Sequence, residues 1–291
     1  MGLNYTHLNQ EPEPDYIDQF DDNEPKLGFF DHLEALRMHI IRAILVLGVG
    51  TVWAFFNKTY IFDKIILAPK NADFITWRAF CYLGKKLGVE GMCVKQFSFQ
   101  LININISGQF VKHITTSMVV GLIIGFPYLI FEIWRFVAPA LHQNEKKYAV
   151  KLIFYGSALF FMGIAFGYFL LAPISIVFLG TYQVSEQVIN QISLDSFVST
   201  LTGLVVAVGL VFELPVIAFF LAKVGVLSSD FMKKYRKHSI VANLILAAVI
   251  TPTSDVGTLL LMALPLLLLY EISIFVVKRA EKDNLKTICA D

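Results

Sequence analysis

The feature that most constrains this chain is a series of long apolar runs, each about as long as a membrane-crossing helix. Four runs are clear, and they occupy 38–56, 116–137, 149–172 and 197–222. A helix needs about 20 mostly apolar residues to cross about 30 Å of hydrocarbon. A further apolar stretch at 241–277 is too long for one span and contains Pro252 and Asp255, which are costly inside a single span. We therefore predict two short helices there, and six spans in total.

The predicted fold is an all-α integral membrane protein, with six transmembrane helices in a bent, concave bundle. The spans are expected at about 38–56, 116–137, 149–172, 197–222, 238–252 and 256–277, within a domain of 29–280. Prolines interrupt three of the spans, and two Gly-xxx-Gly pairs permit close helix approach. These residues are Pro127, Pro215, Pro265, Gly121 with Gly125, and Gly163 with Gly167.

The two ends of the chain are polar. Residues 1–28 are acidic and contain several prolines, which predicts a disordered cytoplasmic tail instead of a cleavable signal peptide. Residues 281–291 are expected to form a second cytoplasmic tail. The net charge of +1 gives no reason to expect nucleic acid as a partner.

Basic residues in the short loops predict the orientation. Lys and Arg are frequent in the segments 138–151 and 223–237 and in the C-terminal tail, but absent from 173–195 and 251–257. With six spans, all the basic segments fall on one side, and the positive-inside rule makes that side cytoplasmic together with both termini. The long 57–112 loop carries eight Lys and Arg on the other side, an exception that we accept because long loops weigh less in this rule.

Two cysteines, Cys81 and Cys93, lie in that long outer loop. In an oxidising compartment they can pair. Two unpaired thiols, or cysteines that pack as small apolar side chains, remain the alternative. Cys289 is expected on the reducing, cytoplasmic side.

Several polar residues lie within the apolar runs. Glu213 is well inside a span, where a charge costs about 2.5–3.5 kcal/mol, so it is expected to face a polar cavity, a partner or a relay. The alternative is a protonated Glu213 bonded to the backbone of a neighbouring helix. Glu132 and Glu271 lie closer to the cytoplasmic ends and are interpreted as structural. Asn243 is expected to form a hydrogen bond between helices.

Motifs of catalysis are missing from the sequence. It contains no phosphate-binding loop, no HExxH, no GxSxG and no CxxC, and its six histidines lack metal-ligand spacing. We therefore expect neither an enzyme nor a bound cofactor or metal.

Four segments together resemble the core subunit of the twin-arginine protein translocase, the TatC family. They are 32–37 (His-Leu-Glu-Ala-Leu-Arg), 126–147 with its Trp-Arg-Phe-Val-Ala-Pro-Ala-Leu core, 212–215 (Phe-Glu-Leu-Pro) and 251–255 (Thr-Pro-Thr-Ser-Asp) with a later Ala-Leu-Pro. A shorter match, Leu-Ala-Pro at 67–69, lies in the outer loop. The order and spacing fit the family over roughly 29–280.

The resemblance implies a receptor and scaffold in the bacterial cytoplasmic (inner) membrane. Such a subunit binds the twin-arginine signal peptides of folded precursors and assembles with single-span partners of the TatA and TatB type, and the proton-motive force drives export. Contact with membrane lipid and homo-oligomers in the receptor complex are expected. The alternative is a secondary transporter of a small solute, which predicts inverted repeats that the sequence does not display.

The resemblance also assigns roles to individual residues. Signal-peptide binding is assigned to Glu34, Arg37, Phe136, Pro139, Leu141 and Glu145. An intramembrane polar role falls to Glu213, and partner docking to Thr251, Asp255 and Thr258. Structural roles fall to Pro69, Pro127 and Pro215. One departure stands out: the family usually has Glu where this chain has Ala35. Either Glu34 and Asp31 take over its role or the site relies more heavily on Glu145, and we expect substitution by Glu34.

Overall fold

The structure is a computed structural model. It describes residues 29–71, 73–88, 93, 100–137, 149–185, 187, 190–252 and 255–288. The predicted tail 1–28 and the loop 138–148 lie outside the described residues, as does Cys289.

Ten α-helices and two short strands account for most of the described chain. The helices are α1 (Phe29–Phe56), α2 (Ile75–Leu87), α3 (Gly108–Val137), α4 (Ala149–Phe166), α5 (Ala172–Thr181), α6 (Leu194–Val211), α7 (Leu214–Lys223), α8 (Ser229–Lys234), α9 (Arg236–Ile250) and α10 (Val256–Ile288). The strands are β1 (Gln100–Ile102) and β2 (Gln191–Ser193). A π-helical segment, Gly167–Leu171, joins α4 to α5, so that these two helices form one rod.

The strands define one end of the bundle, which we call the strand end. β1 and β2 pair in parallel with Gln100 opposite Gln191, and each strand directly precedes a long helix, α3 or α6. The helix starts are also tied by Lys112 and Asp195, whose Nζ and Oδ1 atoms are 2.8 Å apart. Because His39 near the start of α1 pairs with Glu132 near the end of α3, these two helix ends lie together at the far end, which we call the opposite end.

Five helical units in the described part of the chain are long and apolar enough to cross a membrane. They are Leu36–Phe56, Gly108–Phe136, Lys151–Thr181, Leu194–Lys223 and Val256–Lys282. The predicted span at 238–252 corresponds to α9, whose 15 residues reach about 22 Å, short of the hydrocarbon thickness of about 30 Å. The structure thus supports a multi-pass helical protein and leaves the count of six unconfirmed.

The last helix corrects one part of a prediction. The stretch 241–277 is divided into two helices as predicted, since α9 ends at Ile250 and α10 begins at Val256. The second helix is not short, because α10 has 33 residues and continues through 281–288, part of the predicted C-terminal tail. Its last turns contain Lys282, Glu281 and Leu285, residue types with good helix propensity, so the helix does not stop where the apolar run ends.

The three prolines predicted to interrupt spans do not all break their helices. Pro127 and Pro265 lie inside unbroken α3 and α10, so the expectation that they interrupt their spans is wrong. The cost of the missing hydrogen bond is tolerated in such helices when neighbouring groups compensate. At Pro215 the helix does break, because α6 ends at Val211 and α7 begins at Leu214.

Close helix contacts occur at the predicted glycine pairs. A Cβ added to Gly121 would come within 2.6 Å of the Thr51 backbone nitrogen, and one on Gly125 within 2.6 Å of the Leu47 side chain. Gly163 contacts Phe212 in the same manner. These glycines let α3 pack on α1, and α4 on α6 and the turn that follows it.

Candidate functional site

A buried polar cluster joins α1 to α3 at the opposite end. Glu132 is 2% exposed. One of its carboxylate oxygens accepts a hydrogen bond of 2.5 Å from the Tyr128 hydroxyl, and the other pairs with His39 Nδ1 on α1. Phe136 packs edge-on against the His39 ring, with 6.1 Å between the ring centroids. This cluster fixes the position of the first helix against the third.

The cluster agrees with the structural role predicted for Glu132 but corrects its expected environment. We expected its side chain to reach the nearby surface at little cost in free energy, whereas the residue is buried between two helices. Sequence reasoning also missed His39 and Tyr128. The only available signal was local, the four-residue spacing of Tyr128 and Glu132 on one helix face.

The predicted signal-peptide residues fall into two groups. Glu34 and Arg37 are exposed on α1, five and two residues before His39, and Phe136 contacts the His39 ring. Pro139, Leu141 and Glu145 lie outside the described residues. The structure thus brings the start of α1 and the end of α3 together, and the loop assigned to the same patch begins where α3 ends.

Glu213 lies in the turn between α6 and α7. Its backbone carbonyl accepts hydrogen bonds of 3.0 Å from the nitrogens of Val216 and Ile217. Its side chain is directed at α4, since a Cβ on Gly156 would be 3.3 Å from Oε2. The residue is 7% exposed, and Oε1 has no hydrogen-bond partner within the described part of the molecule. An unpaired buried carboxylate oxygen is costly, so it marks a position that a partner can satisfy.

The turn before α10 is a helix cap. Asp255 Oδ2 accepts a 2.8 Å hydrogen bond from the Thr258 backbone nitrogen, and Oδ1 accepts one from the Thr258 hydroxyl. The Thr251 hydroxyl donates to the Ala247 carbonyl at the end of α9, over 2.9 Å. Side-chain capping of this kind satisfies amides that the helix itself leaves free. The three residues proposed for partner docking therefore also stabilise the two helix ends that flank the α9–α10 connection.

The outer segment is held by contacts of its own. Pro69 is buried, and its carbonyl accepts a 3.3 Å hydrogen bond from Trp77 Nε1. Cys81 and Cys93 form a disulfide, with 4.3 Å between their Cα atoms. Of the alternatives left open by the sequence, the structure contains the paired one.

Glu271 and Asn243, the other polar residues found in the apolar runs, differ in exposure and in hydrogen bonding. Glu271 is exposed and pairs with Arg236 at 2.6 Å. Asn243 is buried, yet its Nδ2 finds no partner among the residues that the structure covers, so the hydrogen bond expected from this amide nitrogen is not seen. No group of three or more His, Cys, Asp or Glu arranged for metal binding occurs in the described ranges.

Comparison with known proteins gives consistent matches. The family model described as "Sec-independent protein translocase protein (TatC)" matches residues 31–265. A TatC protein of Blattabacterium sp. subsp. Periplaneta americana is 36% identical over 253 residues, which cover 86% of this chain and 95% of that protein. One from Helicobacter pylori (strain J99) is 43% identical over 171 residues, 58% of this chain and 68% of that protein. A crystal structure described as the twin arginine translocase receptor TatC superposes with a TM-score of 0.64 at 33% identity, covering 86% of this chain and 99% of that one.

Proposed function

Because the chain belongs to the TatC family of Sec-independent protein translocase proteins, we propose that it is the receptor and scaffold subunit of a twin-arginine translocase. In this role it binds the twin-arginine signal peptides of folded precursors at the cytoplasmic face of the bacterial inner membrane. It then assembles with single-span partner subunits and with further copies of itself. Export is driven by the proton-motive force. The comparisons lend no support to the alternative, a transporter of small solutes.

The observation that carries the proposal is the exposed Glu34 on a helix that the His39–Glu132 pair holds in place. A guanidinium binds a carboxylate through two parallel hydrogen bonds, which demands a carboxylate on a rigid support. Glu34 is free to face solvent, whereas position 35 carries Ala, where the family usually has Glu. We assign arginine recognition to Glu34 together with Glu145, each contact contributing about 1–3 kcal/mol.

Two further sites complete the proposed receptor. The unpaired Oε1 of Glu213 is available to the inserted signal peptide or to a partner helix. The capped turn at Thr251, Asp255 and Thr258 is the proposed docking point of single-span partners. Exposed apolar residues near this turn, such as Val249 and Val256, provide the surface for such a helix.

The proposed topology has six spans and both termini in the cytoplasm. α9 is the short span, and a short span is accommodated by local thinning of the bilayer. The loops at the opposite end then face the cytoplasm, which places Glu34 and the 138–148 loop on the side where precursors arrive.

A binding assay on membranes tests the proposal. Glu34→Ala and Glu145→Ala should each weaken binding of a twin-arginine precursor about 5- to 100-fold, as expected for the loss of about 1–3 kcal/mol. Glu24→Ala, a carboxylate removed from the acidic N-terminal segment, is the matched control and should bind normally. Equal binding by the three variants would refute the assignment of this patch.

A further inference from the structure

An apolar groove with a basic end runs between α4, α7 and α10. It has a volume of about 430 Å³ and lies on the opposite-end half of these helices. Leu159, Val216, Phe219 and Ile272 are among its apolar walls. Lys151 and Arg279 lie at its end, and both are exposed. We call it the α4–α7–α10 groove.

Two of the carboxylates on α10 are engaged by other groups. Glu271 pairs with Arg236, and Glu281 accepts a 2.8 Å hydrogen bond from the backbone nitrogen of Ser229. Neither Lys151 nor Arg279 takes part in an ion pair within the described residues. The groove therefore ends in two positive charges that an anion can satisfy.

The dimensions of the groove distinguish between a lipid chain and a helix. From Lys151 to Leu159 along α4 the wall is about 12 Å long, close to the half-thickness of about 15 Å that one leaflet supplies. A spanning partner helix would need a wall of about 30 Å, more than twice this length.

From these observations we infer that the α4–α7–α10 groove binds an anionic phospholipid of the inner leaflet, one acyl chain along the apolar walls and the phosphate between Lys151 and Arg279. Basic pockets between transmembrane helices bind lipid headgroups in this manner, and Arg offers a fork that matches phosphate oxygens. Tyr155 lies beside Lys151 in the groove wall, where its ring suits the boundary between headgroups and chains. The inference goes beyond the proposed function, since it needs no signal peptide.

Binding of phosphatidylglycerol to the purified full-length protein tests the inference. The double variant Lys151→Gln, Arg279→Gln should bind this lipid about thirtyfold more weakly than the unmodified protein, because each basic side chain near an anionic headgroup contributes about one kcal/mol, near a fivefold change in affinity. The matched control is Lys278→Gln, Lys282→Gln, which removes two exposed cations of the same helix that do not line the groove. This control should retain the lipid.

Two further ligands, phosphatidylcholine and glycerol phosphate, distinguish an anionic phospholipid site from other kinds of site. Phosphatidylcholine with the same chains should bind the unmodified protein weakly, and glycerol phosphate at equal concentration should not displace phosphatidylglycerol, since it lacks the chain. Equal loss of phosphatidylglycerol in both double variants would overturn the inference in favour of a diffuse surface attraction. Displacement by glycerol phosphate would overturn it in favour of a simple phosphate site. If only the groove variant lost a copurifying single-span subunit while keeping the lipid, the groove would belong to a protein partner.

Discussion

At the scale of residues, the two buried glutamates of the described spans have opposite surroundings. Glu132 has two side-chain partners, Tyr128 and His39, whereas Oε1 of Glu213 has none. Burial without a partner costs free energy that burial with partners does not. Glu132 therefore contributes to the stability of the α1–α3 pair, and Glu213 is the carboxylate that we propose for a ligand.

The first prediction concerns the α1–α3 cluster. His39→Ala removes a partner of buried Glu132 and should lower the free energy of unfolding by about 1–3 kcal/mol. The control is Arg236→Ala, which breaks another interhelical pair, but one whose side chains are 50% and 51% exposed; this should cost less than about 1 kcal/mol. Denaturant unfolding in detergent measures both values. A larger cost for Arg236→Ala would contradict the distinction between the two pairs.

The second prediction concerns Glu213. Glu213→Leu removes an unpaired buried carboxylate, so the free energy of unfolding should stay level or rise by up to about 3 kcal/mol. Export of a twin-arginine precursor should fall at the same time, because the polar group offered to the ligand is gone. Denaturant unfolding and an export assay on the same variant give both results. A variant that is clearly destabilised would mean that Glu213 has a structural partner.

Single residues were predictable where the signal is local. A carboxylate inside an apolar run is visible in the sequence, and so Glu213 was identified. The His39–Glu132 pair was not, because its members are 93 positions apart and no local pattern in the sequence links them. The side-chain cap at Asp255 and Thr258 was missed as well, although an Asp three residues before a Thr at the start of an apolar run is a typical cap pattern.

At the scale of elements, the sequence located the apolar helices better than their ends. The run at 116–137 corresponds to α3, which begins eight residues earlier at Gly108, and the run at 149–172 continues through Thr181. Helix ends depend on caps and packing beyond the apolar stretch, which hydropathy does not record. The same reason explains why α10 extends past its predicted end.

The third prediction concerns helix packing. Gly121→Ala should separate α1 from α3, because the added Cβ meets the Thr51 nitrogen at 2.6 Å and the Leu47 carbonyl oxygen at 2.9 Å. We expect a loss of about 1–3 kcal/mol in the free energy of unfolding. At Gly48 on α1, a Cβ has nothing within 4 Å, so Gly48→Ala should be neutral or stabilise by up to about 1 kcal/mol. Thermal unfolding of both variants measures these changes. If Gly121→Ala were as stable as the unmodified protein, the close approach of these helices would be contradicted.

At the scale of the whole molecule, the orientation in the membrane was inferred from basic loops alone. The structure supports the arrangement of helix ends that the inference needs, since β1 pairs with β2 at one end and His39 pairs with Glu132 at the other.

The fourth prediction uses the three native cysteines. In intact cells, a membrane-impermeant maleimide should label none of them, because Cys81 and Cys93 are joined and Cys289 is proposed to be cytoplasmic. After treatment with an impermeant reductant, Cys81 and Cys93 should react, whereas Cys289 should react only in permeabilised cells. Labelling of Cys289 in intact cells would reverse the proposed topology.

The receptor role is tested most directly by photocrosslinking in vivo to a precursor from position 38, one turn after Glu34 on the same face of α1. Met38 is exposed, and replacing it leaves the Glu34 carboxylate in place. A crosslinker at position 38 should capture a twin-arginine precursor, and capture should drop sharply when the arginine pair is replaced by lysines, which cannot bind a carboxylate through the same planar fork. A crosslinker at Asn103, exposed at the strand end, should capture neither at this recognition step. Equal capture of both precursors at position 38, or capture at position 103 alone, would contradict the account.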